Sequence, residues 1–367
     1  MAEWVLTTRR EAPVGHYAAA AGVWSVSFVA HPTRCRFAHV YRRARDGVVP
    51  HKARVVVAGT GFAALREHLG RVLPGVPVEA IEPDALRREG AEASVLIPAM
   101  ARIDAQIMDR IIGLRLIQQW GAGLEGVDLG AAAERHIAVA NVPSAGTGNA
   151  ESVAEWCVMA AIALSRRLSE LERNIREGGA WGGPIGRGLR GRTAGILGLG
   201  GIGQALAQRL KPFGMHLIGL KRRAEPALAE RLGLEWVGSG ENIRTFLERS
   251  EYLFLCLPLS SQTRHLIGEN EIASLPPGAC VINPARGSLI CEDALVKALI
   301  DGHLSGAALD VFAAEPLDPQ SRLLTTPGVI ATPHIAGVTD VSYRDIALHV
   351  AENIMRLWPG SPVENQV

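Results

Sequence analysis

One glycine turn, Gly198-Leu199-Gly200-Gly201-Ile202-Gly203, constrains the fold of this chain more than any other stretch. It follows the apolar run Thr193-Ala194-Gly195-Ile196-Leu197 and precedes a helix-like segment, Gln204 to Leu210. Gly198 permits a tight turn, Gly200 lets a ligand approach the backbone, and Gly203 lets the helix pack closely on the strand. A helix that starts at such a turn aims its free N–H groups and its dipole at an anion. Strand, glycine turn and helix together are the context a G-x-G-x-x-G fingerprint needs for dinucleotide binding. Gly198, Gly200, Gly201, Ile202 and Gly203 are therefore the expected pyrophosphate site.

The next strand, Met215 to Leu220, ends at Lys221-Arg222-Arg223. Lys221 stands 18 residues beyond Gly203, where an NAD site usually carries an acid for the ribose 2′-hydroxyl. A carboxylate would repel a 2′-phosphate, whereas Lys and Arg attract it. The other reading of the triplet is a solvated basic turn. The expectation is NADP(H) in preference to NAD(H), with Lys221, Arg222 and Arg223 at the phosphate.

A length of 367 residues suggests about two domains. The formal net charge of +1 gives no whole-protein field for nucleic acid or an anionic membrane. Five cysteines, Cys35, Cys157, Cys256, Cys280 and Cys291, make an odd number without paired spacing. Neither a disulfide framework nor a zinc site is expected, and no metal. Cys157, Cys256 and Cys280 sit in apolar runs and read as small core residues of a protein in a reducing, cytoplasmic compartment. The apolar run Ala18 to Ala30 is too short to span a bilayer, and His31-Pro32-Thr33-Arg34 is not a small-residue cleavage site. Residues 1–52 are expected to be an extension outside the α/β pattern, partly disordered.

From Arg54 onward strands and helices alternate, which argues a parallel α/β sheet. Expected strands begin with Val55-Val56-Val57-Ala58, Val76 to Ala80, Ser94 to Ile97, Leu114 to Gln119 and Ile137 to Ala140. A long helix is expected over Ala150 to Gly178, after a turn-rich crossing at Pro143 to Asn149. The second unit continues with Tyr252 to Cys256, Ala279 to Asn283, Gly306 to Asp310 and Val329 to Thr332. A last amphipathic helix, about Ser342 to Trp358, is expected to pack back on the first unit.

Three chemical residues lie just past strand ends of the second unit, where open α/β sheets bind ligands. Arg286 follows Val281 to Ala285, Glu315 follows Leu309 to Phe312, and His334 follows Ile330 to Pro333. Together such groups suit reduction of a 2-keto acid. Arg offers a fork for carboxylate and carbonyl oxygens. His⁺ gives a proton to the carbonyl oxygen as hydride reaches the carbon. A nearby carboxylate favours and orients the imidazolium. Each residue alone reads as readily as a surface ion pair, a solvated turn or a satisfied core histidine.

At these positions the chain resembles the D-isomer-specific 2-hydroxyacid dehydrogenase family, from about Arg54 to Leu357. The motifs are the glycine turn, Ile282-Asn283-Pro284-Ala285-Arg286-Gly287, Leu309-Asp310-Val311-Phe312-Ala313-Ala314-Glu315-Pro316 and Thr332-Pro333-His334-Ile335-Ala336-Gly337. The resemblance implies Arg286 as the substrate-binding cation, His334 as acid/base and Glu315 as its partner. It implies that Asp310 contacts the nicotinamide side and that Leu257-Pro258-Leu259 lines the cofactor. It also implies that backbone N–H groups of Gly121-Ala122-Gly123 hold the substrate carboxylate. The loop Pro98-Ala99-Met100 then closes over the substrate.

The implied architecture is two doubly wound parallel-sheet α/β domains, with a Rossmann cofactor domain (149–335) inserted into a flavodoxin-like catalytic domain (53–148 and 336–367). A homodimer through the cofactor domain is implied too. The basic triplet is similar to that of NADPH-using glyoxylate and hydroxypyruvate reductases. No regulatory domain is expected after the last helix. The alternatives are an NAD-linked dehydrogenase of the 3-phosphoglycerate type and a dinucleotide-sensing, corepressor-like binding protein. Trp120, Met100 and Trp181 could shape the pocket or serve packing.

Overall fold

The computed structural model describes residues 53–179, 181–357 and 360–367. The expected N-terminal extension, Cys35 and Trp358 lie outside the described residues. Fourteen strands are β1 (Val55–Ala58), β2 (Val78–Ile81), β3 (Ala91–Glu92), β4 (Val95–Ile97), β5 (Ile111–Ile112), β6 (Leu116–Gln118), β7 (Ala138–Ala140), β8 (Thr193–Leu197), β9 (His216–Leu220), β10 (Trp236–Gly238), β11 (Tyr252–Leu255), β12 (Ala279–Asn283), β13 (Leu304–Leu309) and β14 (Val329–Ala331).

The first sheet has the order β2-β1-β4-β6-β7, every pair parallel. With the short β3–β5 pair set aside, this is the doubly wound order of flavodoxin-like sheets. β1 and β4 are buried on both faces, which is why they read as unbroken apolar runs rather than alternating ones. The chain's end adds to this sheet. Val367 N–H donates to Val139 O at 2.9 Å, and Gln366 bridges Ala140 in antiparallel fashion.

The second sheet has the order β10-β9-β8-β11-β12-β13-β14, again all parallel. Its direction of winding reverses between β8 and β11. That reversal opens the crevice in which such sheets bind dinucleotides. β8 feeds the glycine turn and β11 feeds Cys256-Leu257-Pro258, so both expected cofactor segments meet at the switch point.

The helix Asp340–Arg356 packs on the first sheet. Its Ile346, Leu348, Val350 and Ile354 are buried with Val55, Val57, Leu69 and Leu116. The helix Asn149–Ser165 packs on the second sheet through Val153, Cys157 and Ala161. Ala336 still belongs to that second core, so the chain returns to the first sheet between Ala336 and Asp340.

The long helix expected over Ala150 to Gly178 is two helices, Asn149–Ser165 and Leu168–Arg176. The Ser165 carbonyl accepts from Arg187 N–H at 2.7 Å instead of continuing the helix, and Arg167 adopts φ +53°. This long-range capture of one carbonyl ends the helix where side-chain periodicity does not. Ile162, expected on its buried face, is 37% exposed. β10, β3 and β5 were not expected. Cys157, Cys256 and Cys280 are buried, free thiols. Among the described residues no helix is long and apolar enough to cross a membrane.

Candidate active site

The glycine turn is shaped by close backbone approaches. Gly198 has φ +103°, and a Cβ on it would lie 2.5 Å from Cys256 O. A Cβ on Gly203 would lie 2.0 Å from Gly198 O. Both positions therefore exclude any side chain. A Cβ on Gly200 would meet nothing within 4 Å, so space lies open in front of the N-terminus of the helix Gly201–Leu210. The turn fits a pyrophosphate, with the open side at Gly200 and the donors at the helix start. The Gly198 contact also sets the Leu257–Pro258 turn against the fingerprint.

At the end of β9 the basic triplet is less uniform than its sequence. Lys221 Nζ is hydrogen-bonded to Glu225 Oε2. That cation holds the Glu225 carboxyl below its ordinary pKa. Arg222 and Arg223 are exposed. Glu225 was missed: residues 221–225 precede the helix Pro226–Leu232, so the spacing of four carries no helical pairing signal.

The three chemical residues are carried on loops at the carboxyl ends of β12, β13 and β14. Asn283, fully buried, shapes the first of them: its side-chain amide donates to Arg286 O at 2.9 Å, and its Oδ1 accepts from Ala285 N–H at 3.0 Å. Gly287 then packs on the second loop, since a Cβ there would lie 1.9 Å from the Phe312 carbonyl carbon. Glu315, three residues on, accepts from Phe312 N–H through Oε1 at 2.8 Å.

His334 Nδ1 lies 2.8 Å from Glu315 Oε2. Burial alone would raise the Glu315 carboxyl. The His334 hydrogen bond, the Phe312 N–H and the charges of His334 and Arg286 outweigh it and hold Glu315 below its ordinary value. His334 itself has φ +55°, a left-handed conformation that a non-glycine residue adopts at a cost. Asp310 holds it there. The Asp310 carbonyl accepts from His334 N–H at 2.8 Å. Its carboxylate accepts from Thr332 Oγ1 at 2.6 Å and from Ile335 and Ala336 N–H at 2.8 Å each. Asp310 is buried, and burial pushes its carboxyl up despite these bonds. Its carboxylate is thus an anchor for the histidine turn.

The first sheet contributes the opposite wall. The loop after β6, Gly121-Ala122-Gly123, reaches Arg286: a Cβ on Gly123 would lie 1.9 Å from Arg286 Nη2. Asn141 Nδ2 donates to Ala122 O at 2.8 Å. Gln119 Nε2 donates both to Gly123 O at 2.8 Å and to Ala99 O at 3.2 Å. One amide thus joins the glycine loop to the Pro98-Ala99-Met100 loop, where Met100 is 50% exposed. Glu125, just past the glycine loop, accepts from Arg286 Nε at 3.1 Å and Nη2 at 3.4 Å. Gln119, Asn141, Asn283 and Glu125 were missed, because their partners are distant in sequence or are backbone atoms. Trp120 is buried edge-on against Tyr343 in the first core, so it serves packing. Trp181 is 94% exposed.

Comparison with known proteins decides the family. The chain is 34% identical over 275 residues to the glyoxylate reductase of Thermococcus litoralis, covering 72% of this chain and 80% of that one. The chain belongs to the D-isomer specific 2-hydroxyacid dehydrogenase family. The family's NAD binding domain matches residues 158–336, which include the glycine turn and all three chemical residues. Another relative is the D-3-phosphoglycerate dehydrogenase of Archaeoglobus fulgidus, 30% identical over 318 residues and 81% of this chain. The chain spans only 59% of that relative's length. A family crystal structure from Xanthobacter autotrophicus Py2, solved with NADPH and MES, superposes with a TM-score of 0.67. It is 28% identical, covering 86% of this chain and 98% of that one.

Proposed function

We propose that the protein reduces a small 2-keto acid of the glyoxylate or hydroxypyruvate type to a D-2-hydroxy acid, with a nicotinamide dinucleotide as reductant. The observation that carries this reading is the His334–Glu315 hydrogen bond, set beside Arg286 at the carboxyl ends of β12, β13 and β14 in the sheet whose β8 feeds the glycine turn. The nicotinamide supplies the hydride when bound. Arg286 grips the substrate carboxylate and keto oxygen through its fork, and the Gly121–Gly123 backbone completes the carboxylate site. His334 gives a proton to the keto oxygen. Glu315 orients the ring through Nδ1, which leaves Nε2 as the nitrogen for proton transfer. Met100 lies on the loop that closes over the substrate and excludes water.

NADPH is the favoured reductant. Exposed Arg222 and Arg223, with Lys221, supply cations where a 2′-phosphate would lie, and the Xanthobacter relative is seen with NADPH. The Lys221–Glu225 ion pair favours the second reading, use of NADH, because it neutralises one of the three cations. Leu257 and Pro258 line the cofactor crevice, and Asp310 approaches the nicotinamide side through the turn it anchors.

The reading divides the chain into a cofactor domain, 149–335, inserted between two parts of a substrate domain, 53–148 and 336–367. It makes the protein a cytoplasmic homodimer, with exposed Met159, Ile162, Leu168 and Ile175 as an apolar face for the partner. The experiment is loss of reduced-nicotinamide absorbance with a panel of 2-keto acids, NADPH and NADH in parallel. Turnover of glyoxylate or hydroxypyruvate is expected. A protein that binds dinucleotide yet turns over no keto acid would overturn the reading in favour of a binding role.

A further inference from the structure

Arg286 is the cation to which the reductase reading gives the substrate carboxylate, yet its fork already holds a carboxylate of this chain. Glu125 Oε1 and Oε2 accept from Arg286 Nε and Nη2 at 3.1 and 3.4 Å. Both side chains are about one-third exposed, so the pair stands at the cleft wall and is reachable from solvent. Gly123 presses on both: a Cβ there would lie 1.9 Å from Arg286 Nη2 and 2.4 Å from Glu125 Oε2. The substrate loop, the substrate cation and Glu125 thus share one small volume. A second carboxylate, Glu315, also feels the charge of Arg286.

We infer that Glu125 is a specificity-determining residue, which admits 2-keto acids carrying one negative charge and rejects those carrying two. The inference rests on the reductase reading, since it takes Arg286 as the substrate's anchor. A substrate carboxylate in the Arg286 fork either displaces Glu125 or shares the guanidinium with it. In both cases the two anions lie within a few ångströms of each other at a partly desolvated wall. One substrate charge is matched by Arg286. A second, on a phosphate, sulfonate or distal carboxylate, adds to the repulsion from Glu125, and like charges brought together at a site cost selectivity against that ligand. The curated relatives include a glyoxylate reductase, a phosphoglycerate dehydrogenase and a sulfolactate dehydrogenase, so substrates of both charge classes occur among them.

The test compares wild type, Glu125→Gln and Glu125→Asp with glyoxylate, a monoanion, and oxaloacetate, a dianion. Calorimetric binding of glycolate and D-malate runs beside the kinetics. In wild type kcat/KM favours glyoxylate over oxaloacetate, and added salt narrows the ratio, because charge repulsion is screened. Glu125→Gln shrinks that ratio by about tenfold or more and removes its salt dependence. Glu125→Asp keeps the discrimination. The same ratio in wild type and Glu125→Gln, with turnover intact, overturns the role of Glu125 and leaves the reductase reading standing. Glycolate binding without turnover of any keto acid overturns the reductase reading, and the glycolate-to-malate affinity ratio then judges Glu125. Failure of every variant to bind either acid overturns both.

Discussion

The backbone of Gly287 lies against that of Phe312 so closely that a Cβ on Gly287 would sit 1.9 Å from the Phe312 carbonyl carbon. The two loops that carry Arg286 and Glu315 are therefore locked to one another by main chain. The spacing of these two residues is thus set by backbone contact before either side chain chooses its rotamer. Gly287→Ala should cost about 3 kcal/mol or more of stability, or force the loops apart. Paired denaturant titrations and kcat measurements check this, and a variant with native stability and native kcat would refute the contact.

Replacing His334 with Ala should lower kcat by roughly 10²–10⁴ while dinucleotide binding persists, as expected on loss of a general acid. Stopped-time absorbance assays at saturating keto acid, with cofactor binding followed by fluorescence, separate the two effects. Near-normal turnover would remove His334 from proton transfer.

Arg286→Lys should behave as a loss rather than a conservative change, because an ammonium cannot reproduce two parallel N–H donors. A fall in kcat/KM of about a hundredfold is expected, an order of magnitude per ~1.4 kcal/mol. Unchanged KM and kcat would count against the fork.

Glu315 makes stability depend on pH with a definite sign. Its folded value lies below the ordinary 4.5, so the folded state binds its proton less readily than the unfolded chain. The stabilisation is full above the unfolded value and is lost as pH falls through the folded one. Denaturant midpoints of wild type and Glu315→Gln should therefore converge as pH drops from about 6 to about 3. A constant difference across that range would show that the ion pair contributes nothing.

Lys221→Asp combined with Arg222→Ala should shift preference from NADPH to NADH by about a hundredfold in kcat/KM, since it exchanges cations for an acid at the expected 2′ position. Intact NADPH preference in the double variant would show that these cations do not select the cofactor.

Much of this was written in local sequence. The glycine turn declared its strand and helix because its spacing is local, with Gly203 packed on the Gly198 carbonyl five residues back, and Arg286, Glu315 and His334 stood at strand ends that apolar runs made visible. The alternation of runs carried the parallel α/β class, and the family resemblance supplied the two doubly wound domains. What stayed hidden is long-range. Glu125 and Arg286 are 161 residues apart, and no periodicity connects them. The break at Arg166 depends on a carbonyl captured by Arg187. Gln119 and Asn283 work through backbone atoms, which every residue possesses, so their side chains advertise nothing. Glu225 is close to Lys221 in sequence, but the turn that brings them together is irregular and has no period to read.

The Gln119 amide reaches Ala99 and Gly123 at once. Two loops from different strand ends are thereby a single mechanical part. A displacement of either loop is therefore felt by the other through this one amide. On the reductase reading, Met100 and the Gly121–Gly123 backbone then meet the substrate together, which couples capture of the acid to exclusion of water.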